Sequence, residues 1–219
     1  MLRVEFHCHT VYSKDCLVQP EKIVKACLRK GIDRVVITDH NTIRGALRAR
    51  NLYPDRVIIG EEIMTQEGEL LAAFLTEEIP PGLPALTTIA RLREQGAFVS
   101  VSHPFDWMRK GHWKPQDLTK IIPHIDAIET FNARCMHASF NQQALAFARE
   151  HALLGTAGSD AHSILELGRA CMILPPFEDT PSLKIAMEQV KHQARLSSPL
   201  VHIISRYATT IKKIWGSVD

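Results

Sequence analysis

Apolar residues along the chain fall into short runs that alternate with stretches of helical period. Arg3-Val4-Glu5-Phe6 reads as a first strand, and Pro20-Glu21 opens an amphipathic helix carrying Ile23, Val24, Ala26, Cys27 and Leu28, which Gly31 ends. Arg34-Val35-Val36-Ile37-Thr38 predicts a buried strand, followed by a helix over 43–50 and a third strand over 56–60. A fourth strand over 69–75 is reached through a turn at Glu67-Gly68, and Ile79-Pro80-Pro81-Gly82 predicts a loop. Further on come helices over 87–95 and 140–151, with strands over 97–102, 127–131, 154–157 and 171–174. Such alternation implies a parallel sheet, open or closed as a barrel. From residue 193 the pattern changes. Ile203, Ile204, Tyr207, Ile211, Ile214 and Trp215 recur at helical spacing, with Arg206, Lys212 and Lys213 among them. This predicts a helical tail over 193–219 packed on a domain formed by 1–192; a tail lying on a membrane surface is the less favoured reading.

Composition narrows the class without naming a chemistry. The 219 residues, 45% apolar and 23% charged, suit one soluble domain of moderate size and argue against disorder. With 26 basic against 24 acidic residues the formal charge is +2, which offers no electrostatic reason for a nucleic-acid partner. No apolar stretch approaches the ~18 residues of a membrane span. Residues 1–7 run straight into a strand without the regions of a signal peptide. The five cysteines are odd in number and contain no CxxC pair, so reduced thiols in a cytoplasmic protein are expected. Eleven histidines change the picture.

Their placement follows the strands. His7-Cys8-His9 ends the first strand, Asp39-His40 the second and Glu61-Glu62 the third. His103-Pro104 ends the strand over 97–102, Asn132 the next, and Ser159-Asp160-Ala161-His162 the strand over 154–157. In an α/β barrel the active site is built from the C-terminal strand ends, so His, Asp and Glu from several strands meet on one rim. His7 and His9, two apart, lie on one side and can converge on one ion, while Cys8 packs opposite. Glu61 and Glu62 face opposite sides, so only one is a ligand. His, Asp and Glu without Cys suit Zn, Mn or Fe(II), and a bridging carboxylate permits two or three ions. No P-loop and no Ser-His-Asp elbow is present. Metal-assisted hydrolysis is the class indicated.

Bland readings apply elsewhere. A lone His103 before proline would more often be a hydrogen-bonded structural residue than a ligand. His112, His124, His137, His151, His192 and His202 are read as structural or surface residues.

In order along the chain, Phe6-His7-Cys8-His9-Thr10, Ile37-Thr38-Asp39-His40-Asn41, Gly60-Glu61-Glu62-Ile63, Ser102-His103-Pro104 and Gly158-Ser159-Asp160-Ala161-His162 resemble the motifs of the PHP family, the polymerase and histidinol phosphatase domains. The resemblance covers residues 3–174 and implies a distorted (β/α)7 barrel with up to three divalent metals at its mouth. It implies one metal on His7, His9, Glu62 and Asp160. Glu62 would bridge to a second metal held also by His103 and Glu69, where trinuclear members commonly carry His. A third would take Asp15, His40 and His162. Among the family, the freestanding small phosphoesterases are the nearer match, and Asn132-Ala133-Arg134 resembles their Asn-x-Arg stretch.

The expected function is therefore a metal-dependent phosphoesterase acting on a small phosphorylated metabolite or nucleotide. Asp39 is expected to orient a ligand or shuttle a proton. Asn132 and Arg134 are expected to bind substrate, the guanidinium forking onto phosphate oxygens, with a surface ion pair as the bland alternative for Arg134. Two competing readings are an amidohydrolase-like enzyme acting on C–N bonds and a metal-binding module without catalysis. The first commonly uses a bridging lysine, which no strand end here supplies. The second would typically have lost ligands.

Overall fold

The computed structural model describes residues 1–215. Its strands are β1 (Leu2–Cys8), β2 (Arg34–Ile37), β3 (Val57–Met64), β4 (Glu69–Ala73), β5 (Phe98–Val101), β6 (Ala127–Asn132), β7 (Leu154–Gly158), β8 (Ala170–Leu174) and β9 (Lys191–Ala194). The helices are α1 (Pro20–Arg29), α2 (Arg44–Leu52), α3 (Ala85–Glu94), α4 (Pro115–Ile121), α5 (Ala138–Glu150), α6 (Thr180–Met187) and α7 (Val201–Trp215). The last four residues of the tail read from sequence, 216–219, lie outside the described residues. No described helix is long and apolar enough to cross a membrane.

One nine-stranded sheet runs in the order β7-β6-β5-β4-β3-β2-β1-β8-β9. It curls until Cys8 bridges Ala161, just past β7, so β1 to β7 form a nearly closed PHP-like barrel with β8 and β9 as an extension. The close pass needs Gly158, since a Cβ there would stand 2.3 Å from that of His7. The sheet is mixed where alternation alone implied parallel. β4 is antiparallel to both β3 and β5, and β8 and β9 are antiparallel to their neighbours. The β3–β4 connection is a tight turn with no crossover helix, which forces the reversal. This reversal brings the start of β4, Glu69, to the rim where β3 and β5 end. β9 was not visible in the apolar pattern because its Lys-His-Gln-Ala sequence is a mostly exposed edge.

Two apolar layers hold the barrel. Ile37, Val57, Val99 and Val101 pack outward against α1, α3 and α4, while Val36, Ile58, Phe98 and Ala127 point inward. Phe6 meets Phe98 edge-on inside the barrel. The register of β1 on β2 shifts between Glu5 and Cys8. That irregularity sends Phe6 inward and Cys8 into the outer layer, although they are two residues apart. α6 closes the end away from the rim with Leu183 and Met187, and its first turn is fixed by an Asp179–Ser182 capping box.

Candidate metal centre

Glu62, completely buried on β3, stands at the middle of the rim. Its Oε1 accepts from Ser102 Oγ at 2.6 Å and lies 3.1 Å from His103 Nε2. Its Oε2 lies 3.4 Å from the Nε2 atoms of both His7 and His9 and 3.0 Å from His40 Nδ1, yet accepts no well-directed hydrogen bond. The His7 and His9 Nε2 atoms are 3.2 Å apart. Asp160 Oδ1 stands 3.3 Å from the second of them. To one side, Asp15 Oδ2 is 3.1 Å from His162 Nε2 and 3.6 Å from His40 Nε2. To the other, Glu69 Oε2 is 3.5 Å from His103 Nε2 and its Oε1 is 3.9 Å from His40 Nδ1.

Three donor sets converge within 4.8 Å: His7–His9–Glu62, His9–His40–His162 and His40–Glu62–Glu69. They share members, so the donors form one continuous cluster of metal-binding type. Two further residues beside these sets, His103 and Asp160, have positive backbone φ angles, 21° and 51°. Such conformations cost about 1–3 kcal/mol each and persist only where the surroundings impose them.

A ring of other side chains fixes the imidazoles. His7 Nδ1 is 3.0 Å from Glu129 Oε1, and Glu129 Oε2 accepts from the His103 backbone N–H at 3.0 Å. His9 Nδ1 is 3.1 Å from Ser13 Oγ. Ser13 spends its proton on Asp39 Oδ1 at 2.6 Å, so its oxygen must accept from His9 Nδ1–H. His9 then turns Nε2 to the cluster without a proton, the tautomer a metal ligand requires, and His7 is held with Nε2 facing the same point, where a cation would take the place of its proton. Asp39 itself also accepts from the Thr10 N–H and hydroxyl, each at 2.6 Å, and so reaches the cluster only through Ser13. Gly45 permits this packing, since a Cβ there would fall 2.1 Å from Asp39 Oδ2. Glu61 points the other way and accepts from the Ile79 N–H at 3.1 Å.

The donor set fits cations. Asp15 Oδ1, Glu62 Oε2 and Asp160 Oδ1 are buried oxygens with no hydrogen-bond donor, a state that costs about 1–3 kcal/mol or more each when nothing positive stands beside them. Burial, His162 and His40 push His9 down to about 3, leaving it neutral and able to ligate. Burial also acts to lower His7 and His40, but the carboxylates around them prevail and raise both well above the ordinary histidine value. Against the upward push of burial, His7 and His40 hold Glu62, and Arg109 and His7 hold Asp160, well below the usual carboxylate range. Burial and Glu62 raise Glu69.

Above the cluster opens a cleft of about 540 Å³. Lys14, Arg109, Arg134 and Arg206 line it, together with Met64, Met108 and Ile203. Arg109, from the loop after β5, places Nη1 2.5 Å from Asp160 Oδ2 and Nε 3.1 Å from Asp106. Arg134 is buried, which excludes a surface ion pair; its Nε is 3.4 Å from Glu166 and its Nη2 donates to Ser205 of α7 at 2.8 Å. Asn132 spends its amide inside the protein, donating to Glu129 and Asp160 and accepting from the Arg134 N–H. The fold thus gathers His7, His9, Asp15, His40, Glu62, Glu69, His103, Asp160 and His162, sets Arg134 in the wall, and holds Asp39 and Asn132 one contact away. Sequence reasoning missed Arg109, Glu129, Ser13 and Ser102. His202, read from sequence as a structural or surface residue, lines the cleft and contacts the Arg134 carbonyl at 3.2 Å. Only Glu129, at the inward position of β6 three residues before Asn132, left a periodic signal.

Comparison with known proteins places this arrangement. The PHP domain pattern matches residues 5–153, and the pattern of a PHP-associated region matches residues 138–187. An uncharacterised protein of Methanocaldococcus jannaschii is 35% identical over 77% of this chain and 69% of its own. A two-domain Bacteroides vulgatus protein, described as containing a predicted PHP-like metal-dependent phosphoesterase, superposes with a TM-score of 0.73 at 19% identity, over 94% of this chain and 69% of its own. PsfC from Pseudomonas syringae gives a TM-score of 0.70 at 20% identity, over 96% of this chain and all of its own. At such identities the structural likeness speaks to the fold.

Proposed function

The chain belongs to the PHP domain family, and on that premise we propose that it is a metal-dependent phosphoesterase acting on a small phosphorylated metabolite or nucleotide. The observation that carries this reading is the convergence of buried carboxylate oxygens without directed hydrogen bonds and imidazole nitrogens at the floor of a cationic cleft. The description of the Bacteroides neighbour points the same way. In this reading His7, His9, Glu62 and Asp160 hold one divalent ion, Glu62, Glu69 and His103 a second, and Asp15, His40 and His162 a third, with Zn, Mn or Fe as the ion. Bound there, such ions supply Lewis acidity that acidifies a water and offsets charge on phosphoryl oxygens.

The protein's own residues do the rest. Glu129 and Ser13 keep the His7 and His9 rings in the ligating tautomer, and Asp39 orients Ser13. Asn132 holds Asp160 in place. Arg134, and Arg109 once Asp160 turns to a cation, offer planar forks to the non-bridging oxygens of a phosphate in the cleft. Lys14 and Arg206 add positive charge that favours an anionic substrate. Among the described residues no lysine is buried with the donors, which disfavours the C–N hydrolase reading. No donor position is lost, which disfavours a module without catalysis.

A panel of phosphomonoesters, phosphodiesters and amides, assayed on chelated and on Mn-, Zn- or Fe-reloaded protein, tests this. Hydrolysis of a phosphate ester that vanishes on chelation and returns with metal is expected, while far-UV circular dichroism stays unchanged. Full activity of a verified metal-free sample, or turnover of amides alone, would sink it.

A further inference from the structure

The helix that roofs the cleft is docked by its small and polar side. Ser205 and Ala208 are its buried residues, and Lys212 Nζ donates to the carbonyls of Val11 and Ser13 in the loop that carries Asp15. Most of its large apolar residues stay exposed, with Ile203 at the edge of the cleft and Ile204 and Ile211 partly covered by the domain. Leu200 is 67% exposed, Ile203 62%, Tyr207 61%, Ile214 67% and Trp215 81%. For one short helix this is an unusual loss of burial, because exposed large apolar side chains normally occur singly.

The spacing says what kind of surface it is. Leu200, Ile204, Tyr207, Ile211 and Ile214 follow one another at intervals of four, three, four and three. That is the core seam of a coiled-coil heptad, the pattern that keeps one stripe facing another helix. With Ile204 and Ile211 in the first core position, the flanking positions hold Val201, Ile203, Ala208, Thr210 and Trp215, none of them charged. Arg206 and Lys213 lie outside the seam and would not meet like charges across it.

We propose that this face is a dimerisation surface, on which α7 pairs with α7 of a second copy of the chain. The area suits that occupant. With ~150–250 Å² on each large side chain, the exposed fractions of the stripe and its flanking Trp215 amount to roughly 700 Å² per copy, near the ~800 Å² per partner of a stable interface. A lipid surface fits less well. An interfacial helix needs a strongly cationic polar face, and of the three cations here Lys212 is spent on the Val11 and Ser13 carbonyls. Because the other side of α7 holds Arg134 through Ser205 and the Asp15 loop through Lys212, pairing would also brace the wall of the cleft in each copy.

Light scattering and sedimentation of the full chain over a dilution series test this, and they read mass independently of any catalysis. The wild type should run near twice its 24.6 kDa chain mass, and a double variant Ile204→Glu/Tyr207→Glu near that mass itself, with unchanged circular dichroism. Should that variant fail to fold, Tyr207→Ser, at an exposed position, carries the same comparison through a weakened dimer. A wild type that stays monomeric at all concentrations overturns the proposal. So does a dimer that both variants leave intact, which would place the interface elsewhere. Sedimentation of a monomeric wild type with anionic phospholipid vesicles, lost in Tyr207→Ser, would overturn it in favour of a lipid surface.

Discussion

The floor of the cleft and its wall differ in where their side chains come from. The floor is made by strand ends, whose directions the sheet dictates: His7 and His9 leave β1, Glu62 lies on β3, Glu69 starts β4, and Asp160 and His162 follow β7. These residues touch one another through hydrogen bonds and ion pairs within a few ångströms, and nearly all are buried. The wall is made by a loop and a terminal helix, Arg109 reaching in from one and Ser205, His202 and Arg206 from the other. Two of its cations are paired with protein carboxylates, Arg109 with Asp160 and Arg134 with Glu166. The floor can change occupancy without moving its strands. At those two arginines a substrate's anion would trade places with a protein carboxylate, which suits the wall to a ligand that arrives and leaves.

Substitution at the floor should cost most. Glu62→Gln removes the charge that the donor sets share and is expected to release bound metal and lower kcat/KM by more than the ~10- to 100-fold usual for residues that only orient a ligand. Metal analysis and kinetics on the same preparation check it; normal metal content would break the contrast between floor and wall.

The wall should respond next. Arg134→Ala should lower kcat/KM about ten- to a hundredfold, the ~1.4–3 kcal/mol of a charge-assisted contact, with metal content unchanged. It should also lower Tm, because Glu166 is left buried without its partner. Arg134→Lys should recover part of both losses, since it keeps the charge and loses the fork. Wild-type kinetics in both variants would remove Arg134 from substrate binding and leave it a structural ion pair.

A smaller effect is expected behind the floor. Ser13→Ala breaks the Asp39–Ser13–His9 relay and should weaken metal affinity by roughly tenfold, at the low end for such orienting contacts. Metal titration would show it, and an unchanged affinity would mean that the Asp39 carboxylate supports the loop alone.

The smallest effect belongs to Glu61, which shares a strand with Glu62 and faces away from the cluster. Glu61→Gln should leave metal content and turnover as they are and change only stability. Burial pushes the Glu61 carboxyl up to about 8, so the folded chain keeps a proton that the unfolded chain has already released above ~4.3. The stability that the Glu61 carboxyl contributes should therefore fall as pH rises from there towards 8. The glutamine variant cannot ionise and should escape that loss, melting at least ~2 °C higher than wild type at pH 8 and equally at pH 4. Reversal of the roles of Glu61 and Glu62 would mean that the register at the end of β3 is wrong.

Much of the floor was legible in the chain because strands impose a period of two and deliver their ends to one rim. The pairing of His7 with His9, and the placement of Glu61 and Glu62 on opposite faces, follow from that period alone. The reversed strand β4 was hidden, since its apolar residues look the same in either direction; only the tight turn at Glu67-Gly68 hinted at it. The shift in β1 between Glu5 and Cys8 left no trace in the pattern either.

By itself the sequence determined the alternation of strands and helices and the metal-binding chemistry of the rim, because each depends on local period and on residue type, and the barrel followed from the resemblance of its motifs. Only the tertiary structure decided which residues stand behind that rim. Glu129 became the partner of His7, Arg109 of Asp160, and Asp39 the support of Ser13 beside His9, through contacts between segments far apart in the chain. The same holds for α7. Its period announces an amphipathic helix, but a period does not say which face docks. Ser205 and Lys212 found polar partners on the domain, and the apolar stripe was left outside. Burial is a competition among all surfaces of the folded molecule, and a helix read alone shows only one of the competitors.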